Sequence, residues 1–106
     1  MFPRRTLSAV PVGREARRAA RLPRVEAIFG EATAAALDLL ELTELAWHDC
    51  YEEISPSEEI IDEILLCSEG ELALLVKAAR LAVTDWRDLK MWADGVRKRA
   101  TAKGGA

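Results

Sequence analysis

The 106-residue sequence has little of what disulfide, metal and membrane sites require. It contains two cysteines and one histidine. Two cysteines are too few for a disulfide framework, which indicates a reducing compartment and a cytoplasmic location. The apolar runs are much shorter than the roughly 20 residues of a membrane-spanning helix. The first thirty residues also lack the apolar stretch of a secretory signal, so we expect no contact with a membrane.

Basic residues are absent from the middle of the chain. Residues 26–76 contain fourteen acidic side chains and no Lys or Arg. Residues 1–25 contain seven arginines against Glu15 alone, and residues 77–106 contain eight basic residues against three acidic ones. The net charge of −3 therefore conceals a strong separation of charge along the chain. Such a separation bears on binding partners more than on the fold.

The arginine-rich start, residues 1–25, is predicted to be a flexible arm. Pro3, Pro11 and Pro23 interrupt it, and residues 15–22 have room for only a turn or two of helix before Pro23 ends it. An arm of this composition is typical of a disordered tail. It is also compatible with phosphate binding, because arginine-rich segments bind nucleic acid independently of sequence.

The stretch from Glu71 to Val96 organises the rest of the chain. Eight apolar residues follow one another at spacings of three and four: Leu72, Leu75, Ala79, Ala82, Trp86, Leu89, Ala93 and Val96. This spacing places one apolar seam along one side of a helix and predicts a single long helix. Thr84 and Asp85 offer an alternative, since either residue type can cap a separate fourth helix.

Two further helices are predicted before the long one. The first runs from Glu31 to Glu53, with apolar residues at helical spacing. The segment Ser55-Pro56-Ser57-Glu58 reads as a capping box with Ser55 at the N-cap, opening a short helix from Pro56 to Cys67. Ser68-Glu69-Gly70-Glu71 repeats the signature and marks the start of the long helix.

The predicted fold is all-α. The first helix and the long helix form an antiparallel hairpin, and the short helix bridges them. The predicted organisation is an arm over residues 1–25, a helical domain over 26–100 and a disordered tail over 101–106. The first half of the long helix carries extra apolar residues outside its seam: Leu74, Val76, Ala78, Leu81 and Val83. A short chain has few helices to cover them, so we expect a homodimer through this helix.

Candidate catalytic and metal-binding residues are few. His48, Cys50 and Cys67 are the only set with transition-metal character, but His48 and Cys50 are two residues apart and face different sides of a helix. The same spacing argues against a Cys50 nucleophile with His48 as its base. We therefore expect no enzyme activity, no cofactor and no metal.

Six acidic residues around the short helix are the candidate partner-binding face: Glu52, Glu53, Glu58, Glu59, Asp62 and Glu63. They form either a docking surface for a basic protein or a solvated face neutralised within the fold by Lys77, Arg80, Arg87 and Lys90. Trp92 lies beside the seam of the long helix, where it is either core or an exposed contact residue.

The run AWHDCYEEISPSEEIIDEILLCSEGELALLVKAARLAVTDWRDLKMWADG, Ala46 to Gly95, resembles short uncharacterised helical proteins of high-GC actinobacteria. The resemblance covers about half of the chain. It brings no activity, cofactor or site residue with it.

The favoured interpretation is a small interaction protein, regulatory or immunity-like, that presents its acidic face to a basic protein partner. The alternative is a nucleic-acid-associated protein that binds phosphates through residues 1–25 and the Arg97-Lys98-Arg99 cluster. The acidic middle of the chain would repel phosphate, which favours the first interpretation.

Overall fold

The structure is a computed structural model that describes residues 13–105, with side chains described for residues 13–102. It confirms the all-α fold. Its elements are α1 (Arg14–Phe29), a 3-10 turn (Gly30–Ala32), α2 (Thr33–Tyr51), α3 (Glu58–Ser68) and α4 (Leu72–Gly105).

The prediction of a flexible arm is wrong for residues 14–25, which belong to α1. Arg17, Arg21, Val25 and Phe29 recur every four residues and are all buried, so α1 has a continuous inner face. Pro23 lies inside this helix on its exposed side, where water can satisfy the carbonyl that loses its hydrogen bond. The part of the predicted arm over residues 1–12 lies outside the described residues.

Helices α1 and α2 form an antiparallel hairpin through the 3-10 turn. Arg17, near the start of α1, reaches Glu44 in the second half of α2, with the arginine Nε 2.6 Å from the carboxylate. This hairpin was not predicted from the sequence. Helix α2 also packs against α4, where the Tyr51 hydroxyl donates a hydrogen bond of 2.8 Å to the Val83 carbonyl.

Helix α3 starts later than the capping box predicts. Ser57, not Ser55, is the N-cap residue, and its Oγ accepts a hydrogen bond from the Ile60 N–H at 3.2 Å. Ser55 is instead buried against Arg21. The second predicted box is also absent, because Ser68 is the last residue of α3 and its Oγ donates to the Leu65 carbonyl.

The prediction of one unbroken long helix is wrong at Asp85. This residue is extended, with φ −160° and ψ 93°, and it divides α4 into a first segment, 72–84, and a second segment, 86–105. The Asp85 carboxylate accepts a hydrogen bond from the Arg87 N–H at 3.1 Å, as an N-cap side chain does. The alternative reading of Thr84 and Asp85 as the start of a fourth helix is therefore the better description.

The second segment of α4 turns back along the first. The Lys77 ammonium lies 5.9 Å from the centre of the Trp92 ring, whereas residues fifteen apart in a straight helix are about 22 Å apart along its axis. The second segment also meets α3, since Lys90 and Arg97 both contact Glu63. The two segments and α3 therefore enclose one core, whose fully buried residues include Ile61, Ile64, Leu75, Ala82, Leu89 and Ala93.

Residues 101–105 are helical, in contrast to the predicted disordered tail. Helix α4 continues through residues 101–105, while Ala106 lies outside the described residues. At the opposite end of α4, the turn before it packs on α1. A Cβ on Gly70 would lie 3.1 Å from the Ile28 carbonyl oxygen, and the φ of Gly70 is +80°, so glycine fits this turn best.

Candidate interaction surfaces

A buried ion-pair cluster joins α1 to α2. The Glu44 carboxylate accepts hydrogen bonds from Arg17 Nε at 2.6 Å, Arg17 Nη2 at 3.0 Å and Arg21 Nη1 at 2.6 Å. Arg21 and Glu44 are each only 2% exposed. Two arginines and one carboxylate leave an excess positive charge inside the protein, so further acceptors are needed.

Helix α3 supplies those acceptors. Arg21 donates from Nη2 to Glu58 at 2.8 Å and to the Ser55 hydroxyl at 2.9 Å. Arg24 adds a bond of 2.6 Å to Glu58 and contacts Asp62. The arginines of α1 therefore neutralise carboxylates of α2 and α3, and they hold three helices together.

The pKa values of Glu44 and Glu58 reflect this pairing. Burial by itself raises the pKa of the Glu44 carboxyl, but the hydrogen bonds and charges of Arg17 and Arg21 outweigh it and hold that pKa below its ordinary 4.5. The same balance, with Arg21 and Arg24 as the cations, lowers the pKa of Glu58. Both groups are therefore charged in the folded protein at neutral pH.

We expect the free energy of unfolding to decrease in acid. A carboxyl whose pKa is lower in the folded state stabilises the fold above its unfolded pKa, and this contribution is lost as the pH falls through the folded pKa. For Glu44 and Glu58 the loss begins near pH 4.5 and continues below it. Urea unfolding between pH 7 and pH 3 measures it, and Glu58→Gln is expected to flatten the acid slope. Equal stability at pH 7 and pH 3 would contradict the assignment.

Three of the six predicted partner-binding residues are paired with arginines of the fold, and one of these three, Asp62, remains exposed. Glu63 is buried, with Lys90 at 3.2 Å and Arg97 at 3.7 Å, so its assignment to an exposed face is wrong. Glu58 and Asp62 are held by the arginines of α1. Neutralisation within the fold does occur, but mostly through arginines that the sequence suggested were flexible.

The other three, Glu52, Glu53 and Glu59, remain exposed at the junction of α2 and α3. Glu52 ends α2 in the left-handed conformation, with φ 60°. Glu53 accepts a hydrogen bond of 2.9 Å from the Trp47 indole N–H, which fixes its carboxylate. Glu59 accepts one from Lys90 at 3.1 Å. Among the described residues, these three are the members of the predicted acidic face that are exposed and not paired with an arginine.

Glu53 and Glu59 lie at the edge of an aromatic pocket of about 410 Å³. This pocket is called the aromatic pocket below. It is lined by Trp47, Tyr51, Glu53, Ser57, Glu59, Ile60, Trp86 and Lys90. The Trp47 and Tyr51 rings lie 4.3 Å apart at a tilt of 47°. Rings and carboxylates together provide the two kinds of surface that attract a cation.

An apolar face lies on another side of the molecule, where α2 meets the first segment of α4. Leu42, Leu45 and Val76 are 61%, 49% and 42% exposed. Leu42 and Val76 line a groove of about 270 Å³ between the two helices, and Leu45 lies outside it, one turn further along α2. A second groove of about 540 Å³ lies on the other side of the same segment, between Val76 and Trp92.

Trp92 is half-buried and lines the second groove. Its exposure is intermediate between the two predicted alternatives, a core residue and an exposed contact residue. The Lys77 ammonium lies over its ring at 5.9 Å. Lys77 and the neighbouring Arg80 form no ion pair with any residue from 13 to 102, so the apolar face carries two cations along one edge.

The three candidate metal ligands do not come together. His48 and Cys50 are exposed on α2, whereas Cys67 is buried in α3. Burial, with the charge of Glu63, raises the pKa of the Cys67 thiol to about 11, so it stays protonated. Among the residues that the structure describes, no group of three His, Cys, Asp or Glu side chains is placed to hold a metal ion.

Comparisons with protein-family models, curated proteins and solved structures found no match to this chain. The resemblance of residues 46–95 to actinobacterial proteins therefore stays a prediction. Within residues 13–105, no helix combines the length and the apolar character needed to cross a bilayer.

Sequence reasoning missed the cluster of Arg17, Arg21 and Glu44. A signal for it was present, because Arg17, Arg21, Val25 and Phe29 are spaced as one face of a helix. Arginine is rarely buried without a partner, so a stripe of arginine reads first as a solvated surface. The carboxylates that pair with these arginines come from the acidic middle of the chain.

Proposed function

We propose that this protein is a small, non-enzymatic, cytoplasmic interaction protein that dimerises through its apolar face and offers its exposed carboxylates to a basic protein. The observation that carries the proposal is the exposure of Leu42 and Val76 in one groove, with exposed Leu45 on the same face of α2 as Leu42. Clustered apolar exposure with a polar border is typical of protein-binding surfaces.

Charge complementarity supports a second copy as the occupant of this face. Along α2, the exposed leucines Leu42 and Leu45 share a helical face with Asp49. Arg80 borders the groove on the α4 side. A twofold axis through the groove would place the leucines of each copy on the groove of the other and bring acidic and basic edges together.

We expect sedimentation at micromolar concentration to give a dimer. Val76→Glu places a charge in the centre of the apolar face and is expected to produce a monomer with unchanged helicity. Met91→Glu is the matched control, because Met91 is 72% exposed and lines neither groove. A wild-type monomer, or equal effects of the two variants, would overturn the dimer.

The basic partner is assigned to Glu52, Glu53 and Glu59, the exposed members of the predicted acidic face that no arginine of residues 13–102 contacts. A regulatory or immunity-like role fits such a surface, since these proteins act by occupying another protein. The nucleic-acid alternative is less favoured. Arg17, Arg18, Arg21 and Arg24 are already paired with carboxylates, so they are poor phosphate ligands.

A further inference from the structure

We infer that the aromatic pocket binds the side-chain cation of a Lys or Arg from the partner protein. The inference rests on the proposed function, because it assumes that the partner is basic. It goes further by naming the pocket, the chemical group that enters it and the residues that hold it.

Glu53 supplies the fixed negative charge. The Trp47 indole donates to Glu53 Oε1 at 2.9 Å, so the carboxylate has little freedom and its second oxygen stays available. Among the described residues, no Lys or Arg lies within ion-pair distance of Glu53. A fixed carboxylate loses less conformational entropy on binding a cation than a mobile one.

Lys90 shows how a cation sits in this pocket. Its ammonium lies 3.1 Å from Glu59 and 3.2 Å from Glu63, and 6.0 Å from the centre of the Trp86 ring. The Trp86 side of the pocket therefore already combines a ring face with carboxylates around an ammonium. The other side of the pocket offers the half-buried Tyr51 ring and the Glu53 carboxylate, without a cation from the described residues.

The walls of the pocket are held in place by the fold. Trp47 is buried, and Tyr51 is anchored by its hydrogen bond to the Val83 carbonyl. The volume of about 410 Å³ lies within the range of about 300–1,000 Å³ typical of small-molecule sites. One long side chain can therefore enter without a rearrangement of α2 or α3.

The test uses three blocked tripeptides, Gly-Arg-Gly, Gly-Lys-Gly and Gly-Gln-Gly, titrated into the full chain. The signals of the three tryptophan indole N–H groups are followed by nitrogen–proton NMR. We expect Arg and Lys peptides to shift Trp47 and Trp86 saturably, and the Gln peptide to shift neither. Trp92 serves as the internal control, because it lines a different groove.

Glu53→Gln is expected to weaken binding about tenfold, as the loss of a charge-assisted hydrogen bond does. Glu26→Gln is the matched control, since Glu26 is an exposed carboxylate of α1 that lines neither the pocket nor the two grooves. Circular dichroism establishes that both variants are folded. Equal weakening by the two variants would overturn the pocket in favour of general charge attraction, and so would saturable binding of the Gln peptide.

A folded basic protein, cytochrome c, separates the pocket from the wider proposal. Cytochrome c binding that depends on both Glu52 and Glu53 supports the pocket and the acidic face. Binding that depends on Glu52 but not on Glu53, without any peptide effect on Trp47, keeps the acidic face and overturns the pocket. An Arg peptide that binds with Glu53 dependence, with no binding of cytochrome c, keeps the pocket and counts against the acidic face.

Discussion

Glu44→Gln is expected to destabilise the protein by about 3–5 kcal/mol, because it leaves Arg17 and Arg21 buried around a neutral amide. Small domains have free energies of unfolding of about 5–15 kcal/mol, so this loss is a large share of the total stability. Gln matches the size of Glu, which isolates the effect of the charge from that of a cavity. Urea unfolding at neutral pH, followed by circular dichroism, measures the change.

Asp38→Asn is the control for Glu44→Gln. Like Glu44, Asp38 is a carboxylate of α2 that pairs with an arginine of α1, but its side chain is largely exposed to water. Solvent screening makes such pairs weak, so the unfolding midpoint should barely move. If Glu44→Gln were no more damaging than Asp38→Asn, the buried cluster would not hold α1 in place, and the flexible-arm prediction would regain its basis.

Ala82→Pro is expected to cost about 3 kcal/mol or more. Ala82 is buried within the first segment of α4, where proline removes a helical hydrogen bond and clashes with the preceding turn. Trp86→Pro is expected to differ little from Trp86→Ala, because residue 86 follows the extended Asp85 and occupies the first helical position. Urea unfolding of the three variants measures these differences.

The comparison between Trp86→Pro and Trp86→Ala decides whether the helix is broken. In a continuous helix, proline at 86 would be as damaging as proline at 82, since both would lie in the interior. A penalty of about 3 kcal/mol for proline over alanine at 86 would therefore contradict the N-cap role of Asp85.

Sequence periodicity predicted which side of α4 is buried better than it predicted the path of the helix. Leu75, Ala82, Leu89 and Ala93 are buried, whereas Leu72 and Trp86 are partly exposed. An apolar stripe keeps its spacing when two helices follow each other closely, so spacing alone does not reveal a break. The local signal for it was Asp85, a residue type that favours N-caps.

The candidate site was predicted in part. Glu52, Glu53 and Glu59 are exposed as expected, whereas Glu63 is buried and Glu58 is paired with arginines. Consecutive acidic residues on a helix look alike in sequence. Which of these carboxylates pairs with a cation depends on residues more than twenty positions away in the sequence. A local sequence pattern does not predict such pairs.

By itself the sequence determined the all-α fold, the helix-breaking segment around residues 52–57 and the separation of charge along the chain, because these follow from local composition and spacing. Only the tertiary structure decided that Arg17 and Arg21 lie inside, that α4 turns at Asp85 and that Trp47 positions Glu53. The burial of the two arginines depends on carboxylates from other helices, and the contact of Trp47 with Glu53 depends on the point at which α2 ends. A buried arginine is stable only where a carboxylate from another helix meets it, and that register is set by packing.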